Sequence, residues 1–112
     1  MSVIRRHARL IADRLQPERI ILFGSYAYGT PHAGSDVDLL VIMPARNELD
    51  QAWKIDRELA RNFSLHLIVR TPKNMEWGLR EGDWFLREVA ARGKVLYETA
   101  QPRKLPPENE IE

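Results

Sequence analysis

The chain has 112 residues, 44% of them hydrophobic, with 17 basic against 16 acidic side chains and no cysteine. That length suits one compact domain that buries a core without disulfides or a structural metal, and leaves little room for a separate substrate-recognition domain. The absence of thiols excludes a disulfide framework, thiolate catalysis and a Cys-type zinc site, and a net charge of +1 argues against a generic nucleic-acid binder, which carries a clear basic excess. The first fifteen residues are too polar and too helical in period for a signal peptide. No apolar run approaches the ~20 residues that span a bilayer, so a cytoplasmic protein with no membrane contact is expected.

Residues 2–15 place Ile4, Ala8, Ile11, Ala12 and Leu15 at helical spacing, and Pro17 ends that amphipathic helix. Residues 19–24, RIILFG, form a short apolar run closed by glycine and read as a buried strand. SYAY after it opens a short helix, followed by a loop rich in Gly, Pro and small polar residues. DVDLLVIM (36–43) is the second strand, ended by Pro44. Asn47 is a candidate cap for a helix over 48–61, with Leu49, Ala52, Ile55, Leu59 and Ala60 facing the core. FSLHLIV (63–69) is a third strand stopped by Thr71-Pro72. Residues 75–92 read as one or two helices, broken at Gly82 and stopped at Gly93, and KVLYE (94–98) as a last strand. Alternating helices and strands predict an α/β (α+β) domain over residues 1–98, with a single mixed sheet of about four strands and flanking helices. The proline-rich remainder, 99–112, reads as a flexible tail or an arm used in assembly.

The chemistry concentrates in residues 24–43. Strand alternation puts Asp36 and Asp38 on one face, with Val37, Leu39 and Val41 on the other. Two neighbouring carboxylates at the start of an apolar strand repel each other, and a hard cation such as Mg²⁺ relieves that conflict while leaving positions open for water and phosphates. Upstream, Gly24 permits close backbone approach, and the Ser25 hydroxyl and nearby N–H groups are phosphate donors. Phosphate donors facing a two-carboxylate metal site are the parts of phosphoryl or nucleotidyl transfer.

The order Gly24-Ser25, ten residues, then Asp36-x-Asp38 between two apolar strands resembles the signature of the DNA polymerase β-like nucleotidyltransferase superfamily. In particular, the chain resembles the minimal nucleotidyltransferase (MNT) antitoxins. The likeness extends to SLHLIV with Thr71-Pro72 and to the ending GKVLYE. It implies ATP as substrate, held at Gly24 and Ser25, and one or two Mg²⁺ ions on Asp36 and Asp38. It also implies a partner: MNT antitoxins are typically encoded beside a HEPN-domain ribonuclease toxin and neutralise it, in some cases by transferring AMP to it. Self-assembly is compatible with such a chain.

Two positions depart from that pattern. The superfamily carries a third carboxylate on a neighbouring strand, where this chain has His66. A neutral imidazole is a poor Mg²⁺ ligand but a competent general base near neutral pH. A weak enzyme with a histidine base, a nucleotide binder without turnover and a pure binding partner therefore compete, and His66 reads either as catalytic or as a buried structural residue. Relatives also often carry a basic residue at position 28, where this chain has Tyr28, and Lys54, Arg57 and Arg70 are candidates to compensate. His7 and His32 read as surface or loop residues. Trp53, Trp77 and Trp84 are expected to pack in or beside the core, with an exposed partner patch as the lesser alternative. The arginines of the first helix read as a solvated face.

Overall fold

The computed structural model describes residues 2–32, 34–59 and 63–100. The elements follow in the order α1 (Ser2–Leu15), β1 (Arg19–Phe23), α2 (Ser25–Tyr28), β2 (Val37–Ile42), α3 (Glu48–Glu58), β3 (Leu65–Arg70), α4 (Pro72–Glu81), α5 (Trp84–Arg92) and β4 (Lys94–Glu98). The expected segments are all present, with ends differing by a few residues. One boundary differs for a chemical reason. Thr71-Pro72 ends the third strand, as expected, but also begins α4: the Thr71 side chain accepts from the Asn74 N–H, and Pro72 occupies the first turn, where its missing N–H costs nothing. Ala60 and the tail beyond residue 100 lie outside the described residues.

The four strands form one mixed sheet in the order β3-β2-β1-β4. β1 is antiparallel to both β2 and β4, whereas β2 and β3 run parallel through the α3 crossover. Strand alternation divides the core into two. Ile20, Leu22, Val37, Leu39 and Val41 pack with Ile4, Ala8, Ile11 and Ala12 of α1 and with Ala52 and Ile55 of α3. Ile21, Phe23, Leu40 and Ile42 pack with Met75 and Leu79 of α4 and Leu86 and Val89 of α5. The result is a helix–sheet–helix sandwich whose central strands, β1 and β2, are apolar on both faces. At one edge Arg19 is drawn under β4 by a 2.7 Å bond from its Nε to the Glu98 carboxylate.

Three expectations about burial are corrected. His7 lies buried in α1, edge-on to Phe63 at 5.0 Å between ring centres, with Nδ1 2.9 Å from the Val3 carbonyl. Leu49 is 82% exposed instead of facing the core, and lines an open groove beside β3. All three tryptophans are exposed, Trp84 most of all at 73%. Among the described residues, no helix is long and apolar enough to cross a membrane.

Candidate active site

The site is built where β1 ends and β2 begins. β1 runs apolar up to Phe23, then the backbone turns at Gly24 with φ 73° and ψ −160°, a conformation that side-chain-bearing residues rarely adopt. A Cβ at this glycine would collide with the Asp38 carboxylate, so the missing side chain is what lets the turn and the carboxylate meet. α2 follows directly. The amides of Ala27 and Tyr28 both bond to the Gly24 carbonyl at 3.0 Å. Those of Ser25 and Tyr26 stand in the opening turn, where a helix offers no internal acceptor and Gly24 supplies no side-chain cap. Gly29 closes α2 in the left-handed conformation at φ 85°.

Asp38 sits in β2 opposite Phe23 of β1 and, in the parallel register, opposite His66 of β3. His66 Nδ1 lies 3.1 Å from Asp38 Oδ1, and the His66 ring stands edge-on to Phe23 at 6.3 Å between centres. The histidine side chain is 58% exposed, against 19% for Asp38, which removes the alternative of a buried structural histidine. Burial pushes the Asp38 carboxyl above its ordinary pKa. The bond and charge of His66 pull it down, the charge of Asp36 pushes it up, and the net direction is upward. Asp36 is exposed just before β2.

Gly24, Asp38 and His66 are thus in mutual contact or adjacent register, with Ser25 beside them and Asp36 close enough to act on Asp38. Among the described residues, no three His, Cys, Asp or Glu side chains converge to hold a metal ion by themselves. The arginines and lysine considered as substitutes for a base at position 28 are engaged elsewhere. Lys54 pairs with Asp50 at 3.2 Å. Arg57 stacks on Trp53 at 4.4 Å. Arg70 donates to the Val69 carbonyl at 2.9 Å. The group that does reach Tyr28 is Arg92, at the end of α5, whose guanidinium lies 4.0 Å from the centre of the Tyr28 ring. Only the packing of α5 beside β1 brings it there, and no local sequence signal marks it.

Known proteins share this chain's sequence and fold. Protein adenylyltransferase MntA of Shewanella oneidensis is 31% identical over 101 residues, covering 87% of this chain and 66% of its own. The chain spans roughly half to two thirds of the length of the curated relatives it matches. Two crystal structures superpose on it. One, a toxin–antitoxin with AMP-PNP, has a TM-score of 0.61 at 26% identity, over 87% of this chain and 75% of the other. The second, a toxin–antitoxin MntA–HpeT variant with two aspartates replaced by glutamate, has a TM-score of 0.60 at 25% identity, over 86% and 73%. Residues 4–97 match the nucleotidyltransferase domain family, and the chain belongs to that family.

Proposed function

We propose that this chain is the antitoxin of a toxin–antitoxin pair, that it binds ATP with Mg²⁺, and that it transfers AMP to a partner carrying a HEPN domain. The observation that carries the reading is the contact between the Gly24 turn and Asp38: a glycine needed for shape stands against a carboxylate of the D-x-D pair. Gly24 and Ser25 are assigned to the triphosphate, Asp36 and Asp38 to the metal. Burial, and to a smaller extent the charge of Asp36, raises the Asp38 pKa; a divalent cation would offset both penalties, and carboxylate oxygens are hard donors that suit Mg²⁺. Fewer than three protein ligands leaves positions for phosphate oxygens and water. Bound there, Mg²⁺ would neutralise charge that develops on the phosphates.

In the transfer, an acceptor hydroxyl of the partner bonds to the α-phosphorus, the bond from that phosphorus to the bridging oxygen breaks, and pyrophosphate leaves. His66 is assigned the hydroxyl proton. The imidazole is exposed and anchored on Asp38, so it is oriented and open to an acceptor. The same bond supports a second reading. His66 engages Asp38 Oδ1, an oxygen that a metal would use, which favours a weak or inactive fold that neutralises its partner by complex formation alone.

Incubation with labelled ATP, Mg²⁺ and the protein encoded by the adjacent reading frame separates the two. Transfer predicts label on the partner, abolished by Asp38→Asn. A stable complex without label, with neutralisation surviving Asp36→Asn and Asp38→Asn, selects binding alone, and neither label nor complex overturns both. His66→Asp restores the family's third carboxylate and is expected to raise transfer, by about tenfold or more if only a metal ligand is missing; a fall would assign the imidazole its own part.

A further inference from the structure

Among the described residues, β3 is an edge strand, hydrogen-bonded only to β2. The Ser64 carbonyl accepts from Val37 N–H at 2.9 Å and the Arg70 carbonyl from Met43 N–H at 3.1 Å, so the even-numbered residues of β3 turn their backbone groups toward β2. The backbone groups of Leu65, Leu67 and Val69 consequently turn outward. Arg70 Nη1 reaches round to the Val69 carbonyl, 2.9 Å away, and stands 3.9 Å from Glu48, closing that end. The remainder opens into a groove of about 670 Å³, with Leu49 and Ala52 of α3 on one wall and Trp77, Gly78 and Leu86 of α4 and α5 on the other. Leu49 and Trp77 are largely exposed at its rim, Trp53 stands one turn along α3 from Leu49, and Trp84 follows Asp83 at the lower wall. At its open end the groove reaches His66, which holds Asp38.

We propose that this groove receives an extended segment of the partner protein, which adds to the sheet as a fifth strand beside β3. Unpaired N–H and C=O groups on an apolar edge strand are the template for such addition. The occupant is apolar and neutral or basic. Asp83 lines one wall, Glu48 stands beside Arg70 at the closed end, and the open end runs toward Asp38 and Asp36, so a segment bearing carboxylates at that open end is disfavoured. Register then links docking to chemistry. A partner residue opposite His66 projects on the face of Asp38, two strand spacings or roughly 9–10 Å from it, a gap that a long side chain crosses and a short one does not. This proposal rests on the function proposed above and supplies the route by which the acceptor arrives.

Hydrogen exchange of the chain alone, and with the protein encoded by the adjacent reading frame, tests it. Partner addition predicts that the amides of Leu65 and Leu67 slow at least about tenfold in the complex, while Val69, already buried at the closed end, changes little. Leu49→Glu with Trp77→Glu, two exposed positions, weakens the complex by about tenfold or more while circular dichroism is unaltered. A complex that forms and transfers label with the Leu65 and Leu67 amides unprotected overturns the groove but leaves the proposed function standing. Protection that appears in the chain alone and rises with its concentration overturns the partner in favour of self-pairing. Neither complex nor label removes both.

Discussion

At the scale of single residues, Gly24 and Asp38 are bound to each other's identity. Gly24→Ala needs both a positive-φ, extended-ψ backbone that is nearly confined to glycine, at about 1–3 kcal/mol, and a shift of the carboxylate its Cβ would strike. The expected outcome is a loss of roughly 2 kcal/mol or more in urea denaturation, together with loss of Mg²⁺-dependent ATP binding. Asp38 also gives the fold a pH signature. Its folded pKa is raised, mainly by burial, so between the ordinary aspartate value and the raised one the folded protein holds a proton that the unfolded chain has released. Stability of the metal-free protein therefore falls as pH rises through that window. Asp38→Asn should flatten this slope in urea titrations run at successive pH values, and a slope that persists unchanged would assign it to another group.

Among elements, the order of helices and strands was legible in the sequence, and some helix ends were not, as the start of α4 at Pro72 shows. Asn47 was readable as a cap because its side chain need only reach three residues ahead, and it accepts from Asp50 N–H at 2.9 Å. Leu49 was misread because helical periodicity identifies an apolar stripe without telling where its supporting strand stops. His7 and the tryptophans were misread for a related reason: burial of an amphipathic side chain is decided by elements far along the chain, as Phe63 decides it for His7. Within the site, Gly24, Ser25, Asp36 and Asp38 announce themselves by spacing over 15 residues, whereas Arg92 is visible only after α5 has packed. The start of α4 is a testable joint. The Thr71 N–H and the Asn74 side chain both donate to Glu48 Oε2, at 2.8 and 3.0 Å, which ties α4 to the first residue of α3. Glu48→Ala is expected to cost about 1–2 kcal/mol of unfolding free energy and to speed proteolysis near residue 71; no change in either would mean that the Thr71 cap holds this end alone.

For the whole molecule, binding and folding are coupled through the sheet, since the assigned nucleotide and metal groups sit on β1, α2 and β2, and β1 and β2 are the most buried strands. A ligand that binds only the folded chain at 100 times its Kd adds about 2.7 kcal/mol, which for a domain of this size is a rise in Tm on the order of 10 °C or more. ATP with Mg²⁺ is expected to produce that shift in a thermal melt. ATP with chelator should produce a much smaller one. Arg92→Ala should reduce the response to ATP with Mg²⁺, because its guanidinium stacks on Tyr28, in the short helix that the phosphate turn opens; an undiminished shift would confine Arg92 to its packing with Tyr28 and Glu88.

The junction of Arg19 with Glu98 has a consequence in time. These partners are 79 positions apart, so the strand that covers one side of β1 is among the last parts of the fold to leave the ribosome. At about 5–20 residues per second, roughly 4–16 s separate the synthesis of the two. Throughout that interval a nascent chain carries Ile20, Ile21 and Leu22 on a strand with one open edge, while the local helices form within microseconds. Long-range closure of this kind makes folding slow relative to a helical bundle of the same length. The newborn chain is most exposed to mispairing before β4 arrives, and conditions that prolong synthesis lengthen that hazard.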